Sequence, residues 1–321
     1  GGPGQSTNVL LRGAEAGQTL VLIDGVRIND PSATSGYAIL ADVLTNGIDR
    51  IEVLRGPQST LYGSDAIGGV VDILTKRGGD MPFALTASAE AGSFATYHFN
   101  VAASGTSGPV EYGAAANYFG TNGVSAADAK NGNSEADGTH NFGATGNLRV
   151  HVADNVSLDA RLEVTRARDS FDGYPPPTYT FQDTHEYEDD ELLASYGGVN
   201  VSLFGGRFTN RIAVTYTDSD RDNFDPSQTP AKNFFAKGRA TRLEYQGVIE
   251  ADERRDAQGR LVRALDRAAL LDRLKTAARE GFTSAAIAFL HADLDPAHEI
   301  QAGELAAEAS GVASISREEG Q

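Results

Sequence analysis

The chain has 321 residues, of which 44 are acidic and 27 basic, giving a net charge of −17. That excess of carboxylates excludes nucleic acid as an expected partner, because a nucleic-acid binder needs a basic face. Cysteine is absent, so disulfides and thiolate metal sites are excluded as well. No run of 18 apolar residues occurs, so no transmembrane helix is expected. A β-barrel would show no such run, because its strands alternate outward apolar and inward polar residues. The chain opens GGPGQSTN without an initiating methionine or signal peptide; if it belongs to an exported protein, the leader is expected upstream.

The length allows two or three domains. Residues 7–13 (TNVLLRG) and 18–30 (QTLVLIDGVRIND) are two apolar blocks, and 29–37 (NDPSATSGY) reads as a loop. Residues 51–77 then pack a β-like run (Ile51, Val53), an Arg-Gly-Pro turn, a glycine-dense bend and a second β-like run (Val70, Val71, Ile73) into a short span. Gly56, Gly63, Gly68 and Gly69 suit positive φ or close backbone approach. Gly63–Gly69 lacks a following Lys-Ser/Thr, so a phosphate cradle is not expected.

After Gly78-Gly79 the pattern becomes period-2 alternation in runs of roughly ten residues. In 156–165, Val156, Leu158, Ala160, Leu162 and Val164 share one face, and Ser157, Asp159, Arg161, Glu163 and Thr165 the other. Charges at three successive inward positions suit a polar lumen better than a dry core. The run at 142–152 alternates in the same way. Further runs near 84–92, 95–104, 109–119, 193–204, 207–217 and 238–249 predict eight strands. Tight turns at 105–108, 153–155 and 205–206 alternate with long polar loops near 120–139, 168–192 and 218–237. Short turns on one rim and long loops on the other is the outer-membrane barrel pattern. Tyr97, Tyr112, Phe142, Tyr196, Phe208 and Tyr216 lie near run ends, as aromatic-girdle residues or as ordinary strand aromatics.

The last 71 residues change to α/β grammar. Asp266 caps a predicted helix to Glu280, with Leu270, Leu271, Leu274 and Ala278 as its apolar stripe and Gly281 as its stop. AAIAFL at 285–290 reads as a buried parallel strand. Asp295-Pro296 opens a second helix to about Ser310, Gly311 ends it, and 312–316 reads as another strand. His291 and His298 are seven apart with Pro296 between them, which is not zinc-helix spacing; they read as structural or surface histidines.

The blocks at 7–13, 18–30 and 51–77, in this order and spacing, resemble the end of the plug domain of TonB-dependent outer-membrane receptors. LIDGVRIND followed by YGSDAIGGVVDI is most similar to the cobalamin-receptor branch. The resemblance implies a mixed fold: the C-terminal part of a plug over 1–79, then an incomplete antiparallel transmembrane β-barrel of eight strands over 80–250. Large plugged transporters have about 22 strands, and open edges are not tolerated in lipid, so eight strands are expected to be the first third of a barrel. It further implies an outer-membrane location in a Gram-negative bacterium, non-enzymatic uptake of a bulky nutrient, and contact with outer-membrane lipid. The ligand would be a corrinoid, or alternatively a ferric siderophore. The inner-membrane TonB complex would supply force through a segment that precedes the plug in the family.

Site residues follow from the same resemblance. Asn29, Asp30, Ser32, Ser35 and Tyr37 match an apical plug loop facing the ligand; the alternative is an exposed turn. Arg12, Asp24, Glu52 and Arg55 form either a polar plug–barrel interface or ion pairs local to the plug. Asp137, Asp172 and Asp183, in loop segments 134–138, 171–173 and 182–191, match places where this branch holds calcium; the alternative is a solvated anionic rim. No catalytic residue and no other cofactor are expected.

The segment 251–321, with IAFLHADLDPAHE at 287–299, is similar to part of the N-terminal region of the hydantoinase/oxoprolinase family, large enzymes that open cyclic amides. An enzyme fragment of that type is therefore a second reading, and a soluble β-rich binding protein a third. A receptor segment joined to such a tail suggests a chimeric reading frame as a hypothesis, which sequencing across codons 240–260 of the source DNA tests.

Overall fold

A computed structural model describes residues 7–44, 47–56, 58–128, 130, 135–175, 177–251, 254–255, 260–279, 285–287, 297–310 and 315–317. The chain divides into two compact units: residues 1–58, 65–199 and 212–244, and residues 59–64, 200–211 and 245–321.

The first unit is built around a four-stranded sheet of β1 (Thr19–Ile23), β2 (Val26–Arg27), β3 (Ile48–Arg55) and β4 (Gly69–Thr75), in the order β2-β1-β4-β3. All five residues of β1 are buried. It pairs in parallel with β4, from Thr19 opposite Gly69 to Ile23 opposite Ile73. A near-continuous apolar run is what a strand covered on both faces requires. β1 and β2 meet through the two-residue turn Asp24-Gly25, with φ of 51° and 77°. Both positive angles match the Asp-Gly hairpin turn. Gly69 has a φ of 144°, and a Cβ there would lie 2.3 Å from the Leu54 carbonyl oxygen, so glycine lets β3 and β4 close on each other.

The second sheet has eight strands in simple meander order: β5 (Ala84–Gly92), β6 (Thr96–Ser107), β7 (Val110–Thr121), β8 (Thr139–Ala153), β9 (Val156–Gly173), β10 (Gln182–Leu203), β11 (Phe208–Phe224) and β12 (Lys232–Ile249). Its burial is inverted relative to a soluble sheet. Leu148, Leu158, Leu162, Ile212 and Val214 are exposed, while Asn147, Asp159, Glu163, Thr165, Thr215 and Thr217 are buried. A sheet with polar residues inside and apolar residues outside suits a lipid-facing wall. β5 and β12 are its edges.

All eight predicted strands are present, but several run further than the apolar alternation does. The segments at 171–173 and 182–191, expected in loops, lie in β9 and β10. Opposite charges across the ladder explain the extension: Arg168 meets Asp189 at 2.6 Å and Arg166 meets Glu191 at 3.4 Å, and Tyr187 stacks on Phe224 at 4.8 Å. Cross-strand pairs of this kind hold a sheet without an apolar face. Tyr196 and Phe208 are buried, so neither belongs to an exposed girdle.

The second unit holds a short helix, α1 (Ser59–Tyr62), strands β13 (Arg254–Arg255) and β14 (Leu261–Arg263), helices α2 (Arg267–Arg279) and α3 (Ala297–Ser310), and the short parallel pair β15 (Ala285–Ile287) and β16 (Ile315–Arg317). Asp266 caps α2, accepting the Ala269 N–H at 3.0 Å. Leu265, Leu270, Ala302 and Leu305 form its core, with Leu271, Leu274 and Ile287 packed against them. His298 is buried on α3. Gly281, His291, Asp295-Pro296 and Gly311 lie outside the described residues, as do parts of 285–290 and 312–316.

Candidate ligand face, plug anchors and acidic loop cluster

The 29–37 segment folds as a loop closed by a bridge between Asn29 and Ala38. It does not present its polar residues alike. Asn29 is buried and committed to backbone: its Oδ1 accepts the Val21 N–H at 2.9 Å, and its Nδ2 donates to the Gly36 carbonyl at 2.8 Å. Asp30 is also buried, and its Oδ1 accepts from the Ser32 N–H at 2.8 Å and the Ser32 hydroxyl at 2.7 Å. Ser35 is exposed, and Ser32 and Tyr37 are half-buried. Asn29 and Asp30 therefore shape the loop, and the other three line its surface. Arg221 on β11 donates to the Tyr37 hydroxyl at 3.3 Å.

Of the four residues with expected interface roles, Asp24 meets the wall. Its Oδ1 accepts the Thr75 N–H at 2.9 Å, and its Oδ2 lies 3.5 Å from Asn147 Nδ2 on β8. Asn147 also donates to Thr75 and to the Lys76 carbonyl. Arg161 on β9 donates to the Asp24 carbonyl. The same guanidinium lies 3.3 Å from Asp159 and 4.3 Å over the Tyr196 ring. Asp159 is held further by Arg149 through two bonds of 2.7 Å. Glu52 is exposed and pairs with Arg50 at 2.7 Å, a contact local to β3. Arg12 and Arg55 are exposed. The Asp-Gly turn that presents Asp24 is readable in sequence, and so is the inward phase of Asn147 and Arg161. Their meeting is set by how the plug sits in the wall, which period-2 alternation does not encode.

Other anchors join the two sheets of this unit. Thr217 donates to the Arg27 carbonyl at 3.1 Å, and Asn141 donates to the Asp42 carbonyl at 2.9 Å. At Gly113 on β7, an added Cβ would lie 1.9 Å from the Lys76 carbonyl oxygen, so only glycine admits the segment that follows β4 there. Burial first, and then the Glu188 carboxylate, push Asp42 up to about 6.

A carboxylate cluster lies where β9, β10 and the 122–138 connection meet. Oxygens of Glu135, Asp172 and Asp183 lie within 4.8 Å of one another. Asp137 sits beside them, its Oδ2 accepting the Ala126 N–H at 2.7 Å. Asp172 accepts from the Ala127 N–H at 2.7 Å and the Thr184 N–H at 2.9 Å. Burial raises the carboxyls of both Glu135 and Asp137, with neighbouring carboxylates adding to it. Glu135 Oε1 and Asp137 Oδ1 are buried without a hydrogen-bond partner. An all-oxygen donor set with orphaned oxygens fits a hard cation such as calcium. Glu135 was not among the expected ligands, although it lies in the same acidic segment as Asp137; folding, not spacing, selects it.

Residues 1–70 match the family model described as the TonB-dependent receptor plug domain. Residues 198–310 match that of the hydantoinase/oxoprolinase N-terminal region. The vitamin B12 transporter BtuB of Vibrio vulnificus is 53% identical over 75 residues, which are 23% of this chain and 12% of that protein. A ferric enterobactin receptor (PfeA) from Pseudomonas aeruginosa, in complex with enterobactin, superposes with a TM-score of 0.51 at 17% identity, over 74% of this chain and 39% of the receptor. The pyoverdine receptor FpvA of Pseudomonas aeruginosa, bound to pyoverdine, gives 0.53 at 15% identity, over 66% and 31%. At such identities the likeness concerns the fold. The chain thus spans well under half the length of these relatives. Residues 1–70 thus carry the similarity to the TonB-dependent receptor plug domain, and the plug-like sheet with the eight-stranded sheet after it shares the fold of the receptor structures.

Proposed function

We propose that this segment serves a Gram-negative outer-membrane receptor that takes up a corrinoid. The observation that carries the ligand class is the 53% identity to a vitamin B12 transporter over 75 residues. The siderophore receptors resemble the chain at 15–17% identity, a level that bears on fold and leaves ferric siderophore as the second reading. Ser32, Ser35 and Tyr37 offer hydroxyls and one aromatic surface on the plug loop, suited to a large amphipathic ligand. Calcium at Glu135, Asp172 and Asp183, with Asp137 beside them, would neutralise crowded carboxylates and fix the ends of β9 and β10. Uptake would then need force from the inner-membrane TonB complex to break the anchors at Asp24, Asn147 and Arg161.

Titration of the full-length receptor with cyanocobalamin, with and without calcium, tests this. Saturable binding that weakens when calcium is chelated is expected. Binding of a ferric chelate with no response to corrinoid would reject the ligand assignment.

A further inference from the structure

The plug loop at 29–37 leans on the wall, and the wall beside it carries an aromatic side chain that the packing of the sheet does not use. β12 abuts the loop directly: a Cβ at Gly238 would lie 2.5 Å from the Ser32 nitrogen and 2.9 Å from the Pro31 carbonyl carbon. Behind the loop the packing is looser. A cavity of about 30 Å³ there has Ile28, Ile39 and Val43 of the plug and Leu192 and Ser219 of the wall in its lining. Arg221 on β11 holds the loop from the side. One terminal nitrogen donates to the Tyr37 hydroxyl at 3.3 Å, and the other lies 3.9 Å from Asp30. Its Nε is buried without a hydrogen-bond partner, so the hold on the loop runs through the two terminal nitrogens.

The same guanidinium lies 5.8 Å from the centre of the Phe234 ring. Arg221 points at the plug, so the ring lies on that inner face with it. Phe234 is nevertheless 48% exposed. The inner residues around the middle of this sheet are polar and buried, among them Thr215 and Thr217 on the neighbouring strand. An exposed ring at the inner face, one cation away from a second ring at Tyr37, is therefore a local exception. Guanidinium and aromatic faces attract one another, which fixes the mutual placement of the three groups. Phe234 is the third residue of β12 and sits at the rim that carries the longer connections, 122–138, 174–181 and 225–231. In outer-membrane barrels that rim is extracellular.

We infer that Phe234 of the wall and Tyr37 of the plug form a two-ring ligand contact, with Arg221 as the positioning residue that sets the Tyr37 ring. The ligand class is a large amphipathic molecule whose apolar face rests on both rings while the Ser32 and Ser35 hydroxyls take its polar edge. The inference rests on the uptake reading above for the side from which ligand arrives, and adds wall residues to a surface the plug loop only begins. One ring belongs to each body, so a bound ligand bridges plug and wall.

The test titrates the full-length receptor with cyanocobalamin, comparing wild type with Phe234→Ala, Phe234→Tyr, Arg221→Ala, Tyr37→Phe and the Arg221→Ala, Tyr37→Phe double variant. Phe234→Ala should weaken binding about fivefold or more, as truncation of an aromatic contact does, and Phe234→Tyr should retain affinity. Arg221→Ala and Tyr37→Phe should each weaken it, and the double variant should bind no worse than Arg221→Ala alone, because the two act through one bond. Thr217→Val removes a plug–wall bond from the same strand without touching the loop and should leave affinity unchanged, which separates positioning from loss of plug seating. Wild-type affinity in Phe234→Ala, or additive losses in the double variant, would overturn the inference while the corrinoid assignment stands. If wild type binds a ferric chelate and no corrinoid, that assignment fails, and the same variants titrated with the chelate decide the contact: loss in Phe234→Ala supports it and no loss overturns it.

Discussion

Arg161 does three things from one position on β9: it donates to the Asp24 carbonyl, covers Tyr196 and lies beside Asp159. A hydrogen bond from a charged donor contributes ~1.5–3 kcal/mol. Arg161→Ala should therefore weaken plug seating by about 2 kcal/mol, seen as faster amide exchange over residues 19–27. Arg149 keeps Asp159 paired, so the wall itself should survive. Asp72 allows a pH test within the plug. Burial, ahead of the Asp24 charge, raises its carboxyl, while the Gly25 N–H lowers it. A folded-state pKa above the unfolded value means stability that is fully present below the unfolded value and lost as pH rises through the folded one. Asp72→Asn keeps an acceptor for Gly25 and removes the charge. The variant should gain plug stability relative to wild type at pH 7 and lose that gain near pH 4, as read by chemical denaturation at both pH values. At this scale the sequence shows which way a residue faces, since period-2 alternation places Arg161 and Asn147 inward. It hides the partner, because Asp24 is over a hundred residues distant and no local pattern links them.

The strands show where alternation stops being informative. Over 156–165 the apolar face marks β9 directly, and the observed exposure of Leu158 and Leu162 follows it. Beyond Thr165 the lattice continues on charge pairs, and residues 182–191 look like loop because both faces are polar. The ladder survives there through pairs such as Arg168–Asp189. Leu162→Arg on the exposed apolar face should cost ~2–4 kcal/mol where that face meets the bilayer midplane in the proposed receptor, measured by urea unfolding in bilayers. Gly113→Ala tests the close approach to Lys76. Overpacking costs ~1–3 kcal/mol, so the variant should expose residues 75–79 to protease while the eight-stranded sheet keeps its circular dichroism.

At the scale of the whole molecule, plug, wall and C-terminal unit differ in how they were readable. The plug was readable from ordered motifs, and the wall from alternating patterns and turn spacing. The C-terminal unit was readable in its helices: α2 begins at the predicted Asp266 cap. The match to the hydantoinase/oxoprolinase region starts at residue 198, inside β10, so some fifty residues carry both wall strands and that similarity. The proposed receptor role requires the apolar face of the eight-stranded sheet to meet lipid and its polar face to meet the plug. This segment has no cysteine, so with cysteines elsewhere in the receptor replaced by serine, single cysteines can carry spin labels at chosen sites. Labels at positions 158 and 162, and at 157 and 165, of the full-length receptor in bilayers should separate the two faces by power-saturation EPR. Strong oxygen and weak aqueous-nickel accessibility is expected at 158 and 162, with low accessibility to both at 157 and 165. Aqueous accessibility at 158 and 162, or lipid exposure at 157 and 165, would contradict it.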